Sequence, residues 1–328
     1  MSSLVSVIIP CYNAEKFLDM SIGSVYEQEY PSVELIVVND GSTDSSEEII
    51  LKWKNKFAEK NWSLKYIYQE NKGQAAATSA GLKLVTGDYL SLLDADDRFL
   101  QGSLRLRAEF LDNHPDYAGV RSNGYYVKNN ERILFVRDEK EKNITDVFTA
   151  LSLGETNNWA GSYMVRTVVL FSFYPNREIL SSRLGQNFQI LLPVSYKNKF
   201  GFVDVPLMEY FQYENSHSHA SDSEAQYVLS KKNLAGWKDI YFHILHLLTN
   251  NIKEIELYSN MYNSVFYRSN MNMALNYGDN ELAKEYYKAL KNTKRKNIND
   301  TISYYRSNKP ILFVLKIIRR VSNYLKKE

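Results

Sequence analysis

GDYLSLLDADDRF, residues Gly87–Phe99, runs an apolar stretch directly into three carboxylates. Tyr89, Leu90, Ser91, Leu92 and Leu93 read as a buried strand, and Asp94, Asp96 and Asp97 follow at once. Carboxylates this close repel one another, and burying them without a partner is costly. Two arrangements satisfy them. Either they face water in a turn and cap a helix starting near Gly102, or something positive sits among them. Mg2+ or Mn2+ is the economical partner, because both prefer hard oxygen ligands and combine one or two carboxylates with phosphate oxygens.

Upstream, the same strand signal recurs. LVSVIIP (Leu4–Pro10), VELIVVND (Val33–Asp40) and LKYIYQ (Leu64–Gln69) are short runs rich in β-branched or aromatic residues. Between them, Ala14–Gln28, Thr43–Phe57 and Gly73–Val85 carry helical spacing, with Phe17, Leu18, Ile22 and Val25 on one face of the first and Ser42 placed to cap the second. Strands alternating with helices of this length predict an α/β fold whose parallel sheet is built from βαβ units. Ligands of such sheets bind beyond the carboxyl ends of the strands. Tyr12-Asn13, Asp40-Gly41-Ser42 and Asp94-Ala95-Asp96-Asp97 all stand at that edge, so their loops are expected to converge on one pocket. No Gly-x-Gly-x-x-Gly follows the first strand and no Gly-x-x-x-x-Gly-Lys-Ser/Thr occurs. A pyrophosphate bound here must be held in another way.

After Phe99 the rhythm changes. Leu104–Leu111 reads as a helix, and Ala118–Val127 and Ile133–Val136 as antiparallel strands around Asn129-Asn130. From about Ser221 onward only helical spacing remains, broken at Thr249-Asn-Asn and Tyr277-Gly-Asp-Asn. The net charge of +2 divides unevenly: residues 221–328 hold 18 Lys/Arg against 10 Asp/Glu, a net of +8, which leaves −6 for the first 220. The split fits an acidic catalytic body with a basic tail for an anionic partner, and it fits equally a set of soluble Lys-rich helices. The single cysteine, Cys11, excludes an internal disulfide and suits a reducing compartment. Met-Ser-Ser leads into the first strand without a basic n-region, and no run approaches the length of a membrane-spanning helix. The expected location is cytoplasmic.

VSVIIPCYNAEKFLDMSIGSVYEQEYPSVELIVVNDGSTDSS, followed by ENKGQAAATSAGLKLVTGDYLSLLDADD, resembles the family 2 glycosyltransferases of the bacterial surface-polysaccharide type. The resemblance is close over about the first hundred residues and loose to about Ser218. It implies a GT-A (Rossmann-like), mostly parallel central sheet flanked by helices. Residues 1–220 would be the catalytic domain, and 221–328 a helical C-terminal region. The implied activity is metal-dependent, inverting transfer of a sugar from a nucleotide-sugar donor, commonly a UDP-sugar, to a surface-glycan or lipid-linked saccharide acceptor, with no nucleic-acid partner. On the matching positions, Pro10, Tyr12 and Asn13 would line the nucleotide pocket, Asp40 would accept a hydrogen bond from the base, and Lys72 would approach the phosphates. Asp94 and Ala95 would border the ribose, and Asp96 would ligate Mn2+ or Mg2+. WAGSYMVRTVV (Trp159–Val169) matches a second region, in which Trp159, Ala160 and Gly161 would border the acceptor. EYFQYENSHSH resembles the closing segment of the domain, where His217 would complete the metal site. Plainer roles stand beside several of these: turn chemistry for Asn13 and Gly41, a solvated surface for Lys72 and His217, a core position for Trp159.

Two departures from the family pattern matter. Ala77-Thr78-Ser79-Ala80-Gly81 stands where Ala-Arg-Asn-x-Gly is usual, so contacts near the nucleotide must differ. Gln186-Asn187 stands where the family carries Glu-Asp, whose Asp is the general base. An amide cannot accept a proton at neutral pH. The base is therefore open, with Glu155, Glu178 and Asp204 as candidates by neighbourhood, and a non-catalytic sugar-nucleotide-binding protein or scaffold is the alternative function. A nucleotidyltransferase also uses Mg2+ at a strand end, but no Gly-rich loop follows strand one. The closing NKPILFVLKIIRRVSNYLKKE places Ile311, Val314, Leu315, Ile318, Val321 and Leu325 on one helical face and Lys316, Arg319, Arg320 and Lys327 on the other. Such a helix lies on an anionic membrane surface or packs on the protein's own body.

Overall fold

VSVIIPC is buried at every position, and it forms the strand on which the others assemble, β1 (Val5–Cys11). The computed structural model describes residues 2–129, 131–157, 159–182, 184–213 and 223–306. The chain divides into two units, residues 1–151 with 155–217, and residues 152–154 with 218–328.

The first unit is a nine-stranded sheet with helices. To β1 are added β2 (Val33–Asp40), β3 (Ser63–Gln69), β4 (Tyr89–Leu92), β5 (Arg98–Phe99), β6 (Tyr117–Lys128), β7 (Glu131–Leu134), β8 (Tyr163–Arg166) and β9 (Lys199–Phe211). The order is β3-β2-β1-β4-β8-β6-β9-β5, with β7 on β6. The first four positions pair in parallel, as the alternation of strands and helices predicts. Beyond them β8 runs antiparallel to both neighbours, and β9 is parallel to β6. β6 and β7 form the antiparallel pair expected around Asn129-Asn130.

The crossovers are α1 (Leu18–Tyr26), α2 (Ser46–Glu59) and α3 (Gln74–Leu82). α2 buries Ile50, Trp53 and Phe57 along one face. α3 buries mainly small residues, Ala75, Ala77, Thr78, Gly81 and Leu82. Its approach to β1 is so close that a Cβ on Gly81 would lie 2.8 Å from Ile8 Cγ2, which is why a glycine stands there. After β5 come α4 (Ser103–Asn113), α5 (Glu139–Lys142), α6 (Val147–Ser152), α7 (Thr167–Phe173) and α8 (Gln186–Ser195).

Two expected features differ. Ser42 does not cap α2. The helix begins at Ser46, and Ser42 Oγ accepts from the Asn13 N–H instead. α1 starts at Leu18 rather than Ala14, because the peptide groups of residues 13–15 are spent on the loop before α2.

Buried charge is placed with care. Glu34, on β2, is 2% exposed. It accepts from Lys65 Nζ at 2.6 Å, Thr86 N at 2.6 Å and Thr86 Oγ1 at 2.8 Å, and from Ser6 Oγ and Gly87 N. One carboxylate thereby ties together β1, β2, β3 and the turn before β4. Burial pushes its pKa up, and the bonds from Lys65, Ser6 and Thr86 more than offset this, so it lies below the usual carboxylate value. Arg107, on α4, is fully buried. Its guanidinium donates to Ser103 O at 2.9 Å, Tyr163 O at 3.1 Å and Ser91 Oγ at 3.3 Å, and no carboxylate is among its hydrogen-bond partners. Cys11 closes β1 with its thiol buried, and burial followed by the charges of Asp44 and Asp40 pushes that thiol up to about 12.

The second unit contains α9 (Ser223–Leu248), α10 (Ile252–Asn276), α11 (Asn280–Asn292) and α12 (Ile298–Tyr304). The breaks between the first three fall at the two polar segments read from the sequence. Asn251 caps α10 through Lys253 N at 3.0 Å, Asp279 caps α11 through Leu282 N at 3.1 Å, and Asn297 and Asp300 form a capping box on α12. Arg268 grips the buried Asp300 with both nitrogens, Nε–Oδ1 2.6 Å and Nη2–Oδ2 3.2 Å. Among the described residues no helix is long and apolar enough to cross a membrane. The amphipathic segment after Asn308 and the expected ligand His217 lie outside the described residues.

Replacing Glu34 by Gln should cost about 2–3 kcal/mol in urea unfolding, since it removes a charge that several buried donors were built around. The contribution of Glu34 is complete above the free-glutamate pKa of about 4.3 and is lost as pH falls through its lower folded value. Wild-type stability should therefore drop more steeply than that of Glu34→Gln on acidification below that point.

Candidate active site

The three loops at the carboxyl edge of β1, β2 and β4 are bonded to one another. Asn13 sits with φ +48°, a left-handed turn that Asn tolerates, and its side chain accepts from Thr43 N at 2.9 Å while its own N–H donates to Ser42 Oγ at 2.9 Å. Ala14 N donates to Ser46 Oγ at 2.9 Å, and Glu15 N to Asp44 Oδ2 at 3.0 Å. Ser45 N returns a bond to Glu15 Oε2 at 3.1 Å. The outcome is a rigid seam between the first two loops. Pro10 is buried within β1, while Tyr12 projects with 43% of its surface exposed.

Asp40 ends β2 and is buried. Its Oδ1 accepts from Gln69 Nε2 at 2.7 Å and Lys72 N at 2.9 Å, and its Oδ2 from Gly73 N at 2.8 Å. Gly41 follows with φ +79°, and a Cβ there would lie 2.8 Å from Asn71 N. Asp40 thus holds the 69–73 loop against β2. Lys72 contributes its peptide N–H to this grip, and its side chain is exposed. Gly73, at φ +90°, precedes α3, and Gln74 Nε2 at the start of that helix donates to Asp94 Oδ1 at 2.7 Å. The loops after β1, β2 and β4 are in this way brought to one place.

Asp94, Ala95 and Asp96 are partly buried in the loop after β4, and Asp97 is 1% exposed. Asp97 Oδ1 accepts from Phe211 N at 2.9 Å, which pins the end of β9 to the acidic loop, and its Oδ2 is buried without a hydrogen bond. Burial first, and then the charge of Asp96, pushes Asp94 up to about 7. Asp97 is raised well above the usual range by burial and by both acidic neighbours. Arg98, the next residue, does not relieve them, because its guanidinium pairs with the buried Glu209, which Arg132 also meets at 2.5 Å. Crowded hard oxygens and a buried carboxylate oxygen lacking a donor fit a divalent cation. Among the described residues no three His, Cys, Asp or Glu side chains form a cage. The protein fits a cation that completes its shell with phosphate and water, as Mg2+ does.

On the other side of the loop, Trp159 is half-buried, Ala160 is buried, and Gly161 turns over the end of β4. A Cβ on Gly161 would meet Met208 Sδ at 2.9 Å and Leu93 Cδ1 at 3.3 Å. Asn187 lies at the second position of α8, half-buried, and its Oδ1 accepts from Tyr163 Oη at 3.2 Å. Tyr163 is fully buried, and burial and then the charge of Asp94 raise its hydroxyl well above the ordinary value. That hydroxyl stays protonated and directs the amide. The three carboxylates considered as base have the following surroundings. Glu155 is exposed, Glu178 pairs with Lys83 at the surface, and Asp204 pairs with Lys142 at 2.7 Å and accepts from Asn123 at 2.9 Å. Among the described residues none of the three hydrogen-bonds to Asp94, Asp97, Tyr163 or Asn187.

Gln74 and Tyr163 were not singled out from the sequence. Gln74 stood next to the Asn-Lys-Gly loop and Tyr163 inside WAGSYMVR, but neither residue type announces a site. The Thr78-Ser79 departure has a structural use. Thr78 Oγ1 donates to Gln74 O at 2.9 Å within α3, and Ser79 Oγ accepts from Ile179 N at 3.1 Å.

Residues 6–164 match the family model described as glycosyl transferase family 2. An uncharacterized glycosyltransferase of Rickettsia bellii is 27% identical over 268 residues, 77% of this chain and 36% of that protein. The chain spans less than half the length of the first curated relatives it matches. Mannosyltransferase PcManGT from Pyrobaculum calidifontis, solved in complex with GDP-Man and Mn2+, superposes with a TM-score of 0.55 over 100% of this chain and 89% of that one, at 16% identity. S. aureus TarS 1–349 in complex with UDP-GlcNAc gives 0.53 over 89% of this chain and 91% of that one, at 19% identity. At these identities the two structures establish the shared fold, which is of the GT-A type. The matched segment holds β1 to β4, the seam between their loops and the Asp94–Asp97 turn, and it is this segment, residues 6–164, that is of the glycosyl transferase family 2 type.

Proposed function

We propose that this protein transfers a sugar, with inversion, from a nucleotide-sugar donor, a UDP-sugar, to a saccharide or lipid-linked saccharide acceptor, using Mn2+ or Mg2+. The observation that carries it is the meeting of the Asp94–Asp97 turn with the Asp40-held loop through the Gln74–Asp94 bond. The complexes of the two similar structures with UDP-GlcNAc and with GDP-Man and Mn2+ support the donor class.

Within this function Pro10, Tyr12, Asn13 and Asp40 border the nucleotide, Lys72 approaches its phosphates, and Asp94 and Ala95 lie by the ribose. Asp96 is the metal ligand supplied by the turn, with His217 as a further ligand. When bound, the cation supplies positive charge that stabilises the departing diphosphate. Trp159, Ala160 and Gly161 border the acceptor. Asn187 cannot take a proton, so it orients the acceptor hydroxyl, and a carboxylate elsewhere in the site takes the proton, with Glu155, Glu178 and Asp204 as candidates. The chain acts in the cytoplasm, and its basic final segment brings it to the inner face of the membrane. Gln186-Asn187 supports a second function, sugar-nucleotide binding without turnover, since an amide stands where the family resemblance expects the base.

Asp96→Ala should retain the wild-type melting temperature within a few degrees, because the position is in a loop. It should lose Mn2+-dependent binding of UDP, followed by calorimetry; undiminished metal-dependent binding removes Asp96 from the site. Asn187→Ala should lower acceptor use by about tenfold or more while UDP affinity stays within about twofold. If a panel of UDP-sugars binds and none is ever turned over with any saccharide acceptor, the binding-only function replaces the enzyme.

A further inference from the structure

Four aromatic rings gather beside the acidic turn: Tyr126 on β6, Phe135 just after β7, Trp159 before β8 and Tyr210 on β9. Ring centroids are 4.7 Å apart for Tyr126–Phe135, 4.8 Å for Tyr126–Trp159, 4.6 Å for Phe135–Trp159 and 6.3 Å for Trp159–Tyr210. All four are partly buried, with surface left over. Their polar ends distinguish them from the structural aromatics of the same unit. Trp53 Nε1 donates to Asp19 at 2.8 Å, Trp62 Nε1 to Pro31 O at 3.3 Å, Tyr30 Oη to Ser3 O at 2.6 Å and Tyr174 Oη to Gln189 O at 2.9 Å. Tyr126 Oη, Tyr210 Oη and Trp159 Nε1 make no hydrogen bond among the described residues, and none of these atoms is sealed from solvent. Three unspent donors on one aromatic surface are what a hydroxylated ligand with an apolar face requires.

The surface is fixed next to the acidic turn. Tyr210 precedes Phe211, whose N–H is held by Asp97, and Gly161 packs the Trp159 loop over Leu93 at the end of β4. Arg98 after the turn and Arg132 on β7 each meet Glu209 through Nε. An anionic ligand would meet the carboxylates of the acidic turn and of Glu209, an obstacle that a neutral sugar does not face.

The geometry points to a saccharide platform: Trp159 and Tyr210, tilted by 38° to each other, take one face of the acceptor's terminal, uncharged pyranose, Tyr126 and Phe135, set at 78° and 46° to Trp159, back them, and Tyr126, Tyr210 and Trp159 hydrogen-bond its hydroxyls. The rings touch one another at packing distances, so no sugar enters between them. It lies across their open surface, with its C–H face on the negative ring faces. The assignment rests on the glycosyltransferase function and extends it, by naming the acceptor end as a neutral hexopyranoside rather than a phosphorylated polyol.

The test is binding by saturation-transfer NMR and calorimetry, with saturating UDP and Mn2+, of methyl glycosides of glucose, galactose and N-acetylglucosamine, and of glycerol phosphate as the anionic probe. Wild type should bind at least one glycoside saturably. Tyr126→Phe and Tyr210→Phe, which keep the rings and the fold, should each weaken it about threefold, and Trp159→Leu about tenfold, with UDP affinity unchanged. The platform is overturned if UDP binds but no glycoside does, if glycoside affinity ignores all three substitutions, or if glycerol phosphate binds in place of the glycosides. Glycoside binding that depends on these rings in a protein with no affinity for UDP keeps the platform and removes the glycosyltransferase function.

Discussion

A carboxylate at the end of β2 organises the site. Asp40 accepts two peptide N–H groups, from Lys72 and Gly73, thirty-two and thirty-three residues further along the chain. A parallel sheet brings strand ends together but leaves the loops between them without backbone partners, and buried peptide groups have to be satisfied. Asp40 meets that requirement for the loop before α3. Because it fixes Gly73, it fixes where α3 begins; because α3 begins there, Gln74 reaches Asp94. The acidic turn is therefore positioned through side-chain to backbone bonds, with no direct contact between β2 and the turn required. The reciprocal bonds of residues 13–15 with 42–46 do the same for the first loop.

Charge is handled in two ways in this unit. Glu34 is buried and surrounded by donors, which holds it ionised. Arg107 is buried among carbonyl and hydroxyl oxygens and the ring of Phe99, and burial alone draws it down to about 9, still charged at neutral pH. Glu34 is satisfied by the Lys65 charge together with hydroxyl and peptide donors, and Arg107 by carbonyl and hydroxyl dipoles. The acidic turn is the opposite case. Asp94 and Asp97 are offered one amide and one peptide N–H between them, and their elevated proton affinity reflects that shortage. Arg121 Nε and Glu209 Oε1 are also buried without a hydrogen bond, but at Asp94 and Asp97 the shortage is compounded by neighbouring like charge, which marks the turn as a place where the protein interacts with something else.

The parallel half of the fold was legible because its strands are buried on both faces. VSVIIPC and VELIVVND are unbroken in burial, and such runs with helical stretches between them admit few other arrangements. β9 was not legible. KFGFVDVPLMEYF switches between buried and exposed positions, contains Pro206, and pairs with β6 through register shifts, so no simple period survives. The acidic turn was visible as a motif. Its partners Gln74 and Tyr163 were not, because each is an ordinary residue made significant by a neighbour far away in sequence. Ser42 misled for a related reason: a hydroxyl one turn ahead of a helix is a good cap in isolation, and here a different loop claims it.

The thiol of Cys11 sits at the end of β1, enclosed by the same loops that define the site. With its proton held to about 12 and 3% of its surface exposed, it should react slowly with alkylating reagents and oxidants while the sheet is intact. Being the only cysteine in the chain, it converts opening of the central strand into a covalent event. The rate at which the native protein takes up a thiol label then measures how often β1 and its loops part, with no probe added to the molecule and none of the site altered.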